Sequence, residues 1–264
     1  RLGLEETRPM VDLTGRTAVV TGAGSGIGRA IALRLSQRGA KLALLGRTLE
    51  KLETVAGEAR GEAICASLDV AVRSQVEETF RSVAGRLGPL HILVANAGIG
   101  GPNDLGEGDR WNEIVRANLD GAYFCIRAFE ESMEQGSDPR HILVISSCVA
   151  RFGVPDISAY SAAKAGQLGL VRSLAAELAP KRVLVNAICP GWVETRMAVE
   201  RIEEMAAEQG RAYQEVRKEL VDAVPLQRMS EPGEIAALVE FLVSEGGVAF
   251  TGQAFDPNNG AWMG

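Results

Sequence analysis

Short apolar runs alternate with longer amphipathic segments along most of this chain. The runs are continuous and rich in Val, Ile and Leu, as expected for strands of a parallel sheet that is covered on both faces. Strands are predicted over residues 17–21, 41–45, 62–67, 91–95, 141–146 and 183–188. Because strands that alternate with helices form right-handed βαβ units, the pattern predicts an α/β fold with a doubly wound parallel sheet.

The segments between these runs carry apolar residues at the i, i+3, i+4 spacing of an amphipathic helix. Helices are predicted over residues 26–38, 49–60, 74–86, 121–135, 159–178 and 231–243. No linker, internal repeat or low-complexity stretch interrupts the alternation. We therefore expect one domain over residues 1–264, with an N-terminal extension at residues 1–12.

One stretch, residues 194–222, departs from this alternation because it is charged and helical with few apolar positions. It follows the sixth predicted strand. An insertion after the carboxyl end of a strand borders the crevice where such sheets bind ligands. We expect a substrate lid here; the alternative is a solvated surface excursion.

The composition is that of a globular protein, with 264 residues of which 46% are hydrophobic and 23% charged. There are 28 Lys and Arg against 34 Asp and Glu, and the net charge of −6 disfavours nucleic acid as a partner. No run approaches the roughly 18 apolar residues of a membrane span. The N-terminal segment has no apolar core of the kind a secretory signal needs. These features favour a cytoplasmic protein with no membrane partner.

The four cysteines, Cys65, Cys125, Cys148 and Cys189, lie far apart and form no CxxC pair. With two histidines in the chain, this pattern disfavours a zinc site, and no metal is expected. We expect reduced cysteines that pack as small apolar residues.

A glycine-rich loop over residues 21–28 follows the first predicted strand and opens directly into a helix. Glycines allow a tight turn and close approach of a pyrophosphate, and the helix N-terminus supplies free N–H groups. The spacing, Gly22-x3-Gly26-x-Gly28, differs from the commonest dinucleotide fingerprint. A βα turn without a ligand is the alternative. The candidate contacts are Gly22, Gly24, Ser25, Gly26, Ile27 and Gly28.

The end of the second predicted strand bears on the choice of dinucleotide. An acidic side chain there would accept hydrogen bonds from a free ribose 2′-hydroxyl. This chain has Gly46 and then Arg47, and a guanidinium suits a 2′-phosphate in charge and geometry. The sequence therefore favours NADP(H) over NAD(H), with an ordinary exposed arginine as the alternative.

Tyr160 and Lys164 are four residues apart on a predicted helix and therefore share one face. A nearby ammonium stabilises a tyrosinate, so we expect Lys164 to lower the pKa of Tyr160 and make it a usable acid or base. Ser147 ends the fifth predicted strand, where a hydroxyl could hold a substrate oxygen. The alternative is a pair of unrelated surface side chains.

Together these features resemble the short-chain dehydrogenase/reductase family, in its single-domain classical type with a Rossmann fold, over residues 13–260. The motifs that carry the resemblance are TGAGSGIG at 21–28, LDV at 68–70, NAG at 96–98, Asn118, Ser147, YSAAK at 160–164, PGWVET at 190–195 and TGQ at 251–253.

The resemblance implies four catalytic residues. Tyr160 would be the acid for reduction and the base for oxidation, and Ser147 would bind the substrate carbonyl. Lys164 would bind the nicotinamide ribose and act on Tyr160. Asn118 would position a water that continues a proton relay from Lys164.

The resemblance also implies further cofactor contacts and an oligomer. Adenine would meet Asp69 and Val70, and Arg47 resembles the residue of the NADP-preferring subgroup. Relatives form homotetramers or homodimers through the helix that carries Tyr160. The remaining contacts, at the central sheet and at the carboxamide of nicotinamide, would come from Asn96, Ala97, Gly98, Pro190, Gly191, Val193 and Thr195.

Three departures from the family pattern bear on the substrate. Ala95 precedes Asn96 where an asparagine is usual, and residues 256–260 read DPNNG in place of Asp-Gly-Gly. Acidic residues Glu130, Glu131 and Glu134 replace the basic patch that would dock an acidic carrier protein. Side chains suited to an apolar ketone, or alternatively to core packing, are Val149, Phe152, Trp192, Met197 and Met205.

The expected function is NADP(H)-dependent, reversible reduction of a small-molecule ketone to a secondary alcohol. A 3-oxoacyl-thioester reductase, acting on acyl carrier protein or CoA substrates, or a polyketide-type ketoreductase is the alternative, because it needs the same four residues. A non-catalytic dinucleotide-binding protein on the same fold is a more remote alternative.

Overall fold

A computed structural model describes residues 11–103, 106–133, 136 and 138–264. It contains a seven-stranded parallel sheet in the order β3-β2-β1-β4-β5-β6-β7. The strands are β1 (Thr17–Thr21), β2 (Lys41–Gly46), β3 (Ala63–Ser67), β4 (Ile92–Ala95), β5 (Arg140–Ile145), β6 (Val183–Ile188) and β7 (Ala254–Phe255). The six predicted strands are confirmed, each end to within a residue. The fold is the expected doubly wound, Rossmann-like sheet.

The predicted helices are also present. The described helices are α1 (Gly26–Gln37), α2 (Leu49–Glu58), α3 (Arg73–Leu87), α4 (Trp111–Val115), α5 (Gly121–Ser132), α6 (Ser158–Leu178), α7 (Arg196–Gln209), α8 (Tyr213–Asp222) and α9 (Pro232–Leu242). Helix α5 ends at Ser132, so it is shorter than the predicted 121–135, and residues 134 and 135 lie outside the described part. Most of the N-terminal extension expected at 1–12 also lies outside it.

Apolar side chains cover both faces of the sheet. Helices α3, α5 and α6 bury one face, where Phe80 and Phe129 are fully enclosed. Helices α1, α2 and α9 bury the other face through residues such as Ile31 and Val239. Within β1, Val19 packs on the first layer while Val20 packs on the second, so neither face of the strand is polar.

The strand order reverses between β1 and β4, which pair directly with Ala18 opposite Ile92. The chain leaves β1 toward β2 and β3 on one side and continues from β4 on the other. In an open parallel sheet, the loops diverge at such a point and leave a crevice at the carboxyl ends of the strands. The glycine-rich loop follows β1 at this crevice.

Residues 194–222 form helices α7 and α8, as the helical pattern predicts. Their contact buries Ile202 and Ala206 of α7 against Val216 of α8 and Met229. This small cluster is separate from the two layers that cover the sheet. The two helices therefore form a unit with its own apolar centre beside the crevice.

Cys65, Cys125, Cys148 and Cys189 are free thiols. Among the described residues, no helix combines the length and the apolar character that crossing a membrane requires.

Candidate active site

The glycine-rich loop at residues 21–28 is fixed in place by hydrogen bonds to the residues that follow β4. The Asn96 side chain donates hydrogen bonds to the carbonyls of Thr21 at 2.9 Å and Gly22 at 3.3 Å. In return, Thr21 Oγ1 accepts from the backbone N–H groups of Asn96 and Ala97, both at 3.0 Å. Gly22 and Gly26 have φ of +65° and +52°, a region that favours glycine. The loop shape is thus fixed by the fold.

A cleft of about 500 Å³ lies over this loop, which is a usual size for a ligand site. Twelve of the predicted cofactor residues line it: Gly22, Gly24, Ser25, Gly26, Ile27, Arg47, Asp69, Val70, Asn96, Ala97, Gly98 and Thr195. At its floor, Ser25 precedes α1 without making a side-chain cap, so the first N–H groups of the helix face the cleft. A glycine cradle at an uncapped helix N-terminus fits the pyrophosphate of a dinucleotide.

Gly28 lies beneath the loop, where a Cβ would be 2.3 Å from the Gly22 carbonyl oxygen and 2.6 Å from Asn96 Nδ2. Gly28→Ala is therefore expected to displace the loop and weaken dinucleotide binding by about 10-fold or more, roughly 1.4 kcal/mol. Fluorescence titration with NADPH and NADH measures the loss. Gly85→Ala in α3 is the matched control, because a Cβ there meets nothing within 4 Å. Equal affinity in the wild type and Gly28→Ala would contradict the fixed-loop account.

The mouth of the cleft carries more cations than the sequence indicated. Arg47 is joined there by Lys51, Arg116 and Arg196, with Glu113 opposite. Lys51 follows Arg47 by four residues and could have been found from that spacing. Arg116 and Arg196 come from distant segments, and no local pattern brings them to Arg47. A hydrogen bond from Arg110 and, more weakly, the charge of Arg47 lower the pKa of the Glu113 carboxyl. This rim is suited to an anion.

Four predicted residues, Asn118, Ser147, Tyr160 and Lys164, form what we call the tyrosine cluster. Ser147 follows β5, and its hydroxyl lies beside that of Tyr160 of α6. Lys164 lies one turn further along α6, where its Nζ donates to the Ile145 carbonyl at 2.8 Å and sits 5.5 Å from the centre of the Tyr160 ring. The expected shared face of Tyr160 and Lys164 is confirmed by this contact.

The ionisation of the pair differs from the expectation. Burial raises the pKa of Tyr160 to about 12, although the hydrogen bond with Ser147 acts in the opposite direction. Burial also lowers the pKa of Lys164 from its usual 10.5 to about 8. The predicted lowering of the Tyr160 pKa is therefore wrong for the free protein, because loss of water around the phenol is the largest cause of the shift. Tyr160 remains protonated, as a proton donor must be.

Asn118 reaches the cluster from a π-helical turn, residues 116–120, which joins α4 to α5. Its Nδ2 donates to the carbonyls of Ile99 and Ile114, each at 2.8 Å. A Cβ on Gly98 would be 2.3 Å from Asn118 Oδ1 and 3.8 Å from Lys164 Nζ, so both groups face Gly98. Gly98 lines the cleft, whereas the four members of the tyrosine cluster do not. Gly98 therefore lies where the cleft meets the tyrosine cluster.

The turn that follows β6, residues 190–195, lies beside both the cleft and the tyrosine cluster. The Pro190 carbonyl accepts from the Cys148 N–H at 2.8 Å, next to Ser147. Gly191 packs on Asn258, and buried Val193 pairs with Ser230. At the other end, Thr195 caps α7, and its Cγ2 would lie 3.2 Å from a Cβ on Gly26. Of the four predicted contacts in this turn, Thr195 lines the cleft; Pro190, Gly191 and Val193 do not.

The side chains expected to contact substrate divide into two groups. Met197 lines the cleft and is half exposed, and Phe152 is exposed in the loop that follows Ser147. Trp192 and Met205 pack on the apolar centre between α7 and α8, which is the packing alternative. Val149 donates its N–H to Ser147 Oγ at 3.4 Å. Met197 and Phe152 remain the candidates for substrate contact.

The C-terminal segment that departs from the family pattern makes contacts that the sequence did not indicate. Asp256 receives two hydrogen bonds from Arg151, at 3.2 and 2.9 Å, and the Arg151 guanidinium lies 4.7 Å from the centre of the Trp262 ring. Asn259 donates to the Ser230 hydroxyl at 3.0 Å. The contacts of Arg151 therefore hold the loop that follows Ser147 against the C-terminal segment.

A doubly wound sheet with a glycine cradle at its switch point, beside a Ser-Tyr-Lys cluster, defines a dinucleotide-dependent oxidoreductase. The short chain dehydrogenase family model matches residues 16–206, and the chain belongs to this family. It is an enzyme of the short-chain dehydrogenase/reductase type, as the resemblance of its motifs implies.

Three relatives illustrate the similarity. The 3-oxoacyl-[acyl-carrier-protein] reductase FabG of Staphylococcus aureus is 32% identical over 255 residues, which cover 94% of this chain and 98% of that protein. A variant of actinorhodin polyketide ketoreductase, solved with NADPH, has a TM-score of 0.88 at 34% identity, covering 93% and 97% of the two chains. Levodione reductase has a TM-score of 0.87 at 31% identity, covering 94% and 98%.

Proposed function

We propose that this enzyme catalyses the NADP(H)-dependent, reversible reduction of a ketone to a secondary alcohol. The observation that carries the proposal is the Tyr160 hydroxyl beside Ser147, with Lys164 Nζ 5.5 Å from the centre of the Tyr160 ring. A phenol whose pKa is raised to about 12 holds its proton until an adjacent oxygen becomes negative. Carbonyl reduction produces such an oxygen.

In this mechanism the chain's own residues hold the carbonyl and supply its proton. NADPH, when bound, supplies the hydride to the carbonyl carbon. Ser147 donates a hydrogen bond to the carbonyl oxygen and places it beside the Tyr160 hydroxyl. Tyr160 transfers its proton to that oxygen as negative charge develops. The Lys164 ammonium holds the nicotinamide ribose and stabilises the tyrosinate that remains, while Asn118 orients a water that returns the proton.

The cations at the mouth of the cleft support NADP(H) as the cofactor. Arg47, Lys51 and Arg116 line the cleft without ion pairs to the described residues, in a protein whose net charge is −6, whereas Arg196 is paired with Glu200. Arg47 stands where the second strand ends, and its guanidinium makes no hydrogen bond or ion pair with the described residues, so it is available to a 2′-phosphate. Asp69 uses one carboxylate oxygen to accept from the Ala71 N–H at 2.9 Å, which fixes the wall beside adenine.

Arg47→Asp is expected to reduce the preference for NADPH over NADH by about 10- to 100-fold. The loss of a charge-assisted hydrogen bond is worth roughly 1.5–3 kcal/mol, and the new carboxylate repels a 2′-phosphate. The ratio of the two dissociation constants, measured by fluorescence titration, gives the result. Arg60→Asp, the same charge change at an exposed arginine that follows α2, is the control. An unchanged ratio in Arg47→Asp would place 2′-phosphate recognition elsewhere.

A carrier-bound or CoA-bound 3-oxoacyl or polyketide substrate is the second candidate, because two of the relatives described above have these activities in their names. The surface formed by α5 and α6 weighs against an acidic carrier. Arg127 there pairs with Glu130 and Glu177, and Lys181 also pairs with Glu130. These cations are neutralised within the chain and do not form a basic patch.

One experiment separates the two substrates. NADPH and NADH are titrated against the wild type, and NADPH consumption is then followed with a panel of free ketones and with acetoacetyl thioesters. Turnover of free ketones supports the proposed function, and turnover confined to thioesters supports the second candidate. A folded protein that binds neither nucleotide would overturn both.

We also propose that α7 and α8 form a substrate lid. Support comes from Met197 at the cleft and from the contact of Thr195 with the glycine loop, both at the start of α7. A homotetramer or homodimer and a cytoplasmic location stay predictions from the sequence.

A further inference from the structure

Gln167 lies on the same face of α6 as Tyr160 and Lys164, and it is 1% exposed. Its Nε2 donates to the backbone carbonyl of Asn118 at 2.8 Å. This partner fixes the orientation of the amide, since the reversed amide would place two oxygen atoms against each other. Gln167 therefore connects the helix that carries Tyr160 and Lys164 to the turn that carries Asn118.

The carbonyl that Gln167 contacts belongs to the π-helical turn at residues 116–120. A π-helical turn widens the hydrogen-bond ladder, and such turns occur frequently at functional sites. The Asn118 side chain is tied to Ile99 and Ile114, and its backbone is tied to Gln167. These three contacts set the position of Asn118 Oδ1 beside Gly98, where Lys164 Nζ also points.

Stability does not account for a glutamine at this position. Gln167 Oε1 is buried and has no hydrogen-bond partner within the described part of the chain, and the same is true of Asn118 Oδ1. A half-satisfied buried amide costs free energy that an apolar side chain of the same size avoids. The neighbouring core positions on α6, Leu168 and Val171, are apolar. The unpartnered Oε1 therefore costs free energy at a position where an apolar side chain would pack.

We propose that Gln167 is a positioning residue for carbonyl reduction. Its amide holds the Asn118 carbonyl, and so it keeps the Asn118 side chain and Lys164 at the separation that the proton path to Tyr160 requires. The inference rests on the proposed function, because a proton path matters only if Tyr160 transfers a proton.

The test compares Gln167→Met, Gln167→Glu and the control Leu168→Met. Met keeps the volume of Gln without its polar atoms, and a buried Glu at this position is protonated, so it keeps one donor for the Asn118 carbonyl. Leu168→Met places the same side chain at the next buried position of α6 without removing a polar group. Measured quantities are kcat, KM, the NADPH dissociation constant, the melting temperature, and amide hydrogen exchange of residues 111–121 in the free protein.

Gln167→Met is expected to lower kcat by about 10- to 100-fold, with KM and NADPH affinity within a factor of about two, and Gln167→Glu is expected to retain more of the wild-type kcat than Gln167→Met. Gln167→Met is expected to melt no lower than the wild type, yet to show faster exchange over residues 111–121. Leu168→Met should match the wild type in kcat and in exchange. A residue with a purely structural role would instead lower the melting temperature and raise KM together.

Two results overturn the proposal: unchanged kcat and exchange in Gln167→Met, or a lower melting temperature accompanied by a raised KM. A folded wild type that binds neither NADPH nor NADH would refute the proposed function separately. In that case amide hydrogen exchange of Gln167→Met still tests the role of Gln167. Unchanged exchange over residues 111–121 overturns its role in holding Asn118.

Discussion

Tyr160→Phe is expected to lower kcat for ketone reduction by about 10²- to 10⁴-fold, while the dissociation constant of NADPH changes by less than a factor of about two. Phe keeps the ring that packs beneath Lys164 and removes the hydroxyl that lies beside Ser147. Steady-state kinetics at saturating NADPH, with parallel fluorescence titrations, measures both quantities.

The control is Tyr123→Phe, which removes the same hydroxyl from a tyrosine of α5 that is 39% exposed. This variant is expected to keep the wild-type kcat. If Tyr160→Phe retained more than about a tenth of the activity, another group would have to donate the proton, and the proposed mechanism would be wrong.

The sheet and the glycine loop could be predicted from the sequence because each depends on residues that are neighbours in the chain. A run such as residues 183–188 has one stable place in an α/β fold, between two helical layers. The loop at 21–28 follows a strand and precedes a helix, so its position at the sheet's carboxyl edge follows from topology. The spacing of Tyr160 and Lys164 likewise fixes their shared face.

The ionisation of the site could not be predicted in this way. Spacing shows that Lys164 is near Tyr160, but the pKa of each also depends on how much water the fold removes, and burial dominates both. The cations Arg116 and Arg196 and the pairing of Arg151 with Asp256 escaped prediction for a related reason. Each depends on contact between segments that are far apart in sequence.

The contact made by Gln167 is another feature that could not be predicted from the sequence. On a helical pattern it occupies a core position, and its sequence neighbours give no reason for a polar group there. Its partner, the Asn118 carbonyl, becomes identifiable only once α6 is packed against the π-helical turn. Buried polar contacts between elements are therefore the part of this site for which structure adds most.

Lys164→Met is expected to lower kcat by about 10²- to 10⁴-fold and also to raise the free energy of unfolding at pH 7 by about 1–2 kcal/mol. Burial lowers the pKa of Lys164 from 10.5 to about 8, so the ammonium destabilises the folded state by about 3 kcal/mol below pH 8. Removing it relieves that cost, while the Ile145 carbonyl loses its donor, which costs about 1–2 kcal/mol. Urea denaturation over a range of pH measures the balance.

The pH dependence distinguishes this account from a general effect of substitution. Because the folded-state pKa lies below the unfolded one, the unfolded wild type binds the extra proton between pH 8 and 10.5. The free energy of unfolding of the wild type therefore rises relative to that of the variant across that range. The extra stability of Lys164→Met disappears by about pH 10.5. Lys218→Met, at a lysine whose side chain is 74% exposed, should show no such dependence. A Lys164→Met variant less stable than the wild type at pH 7 would show that the ammonium is stabilised in the fold, contrary to its lowered pKa.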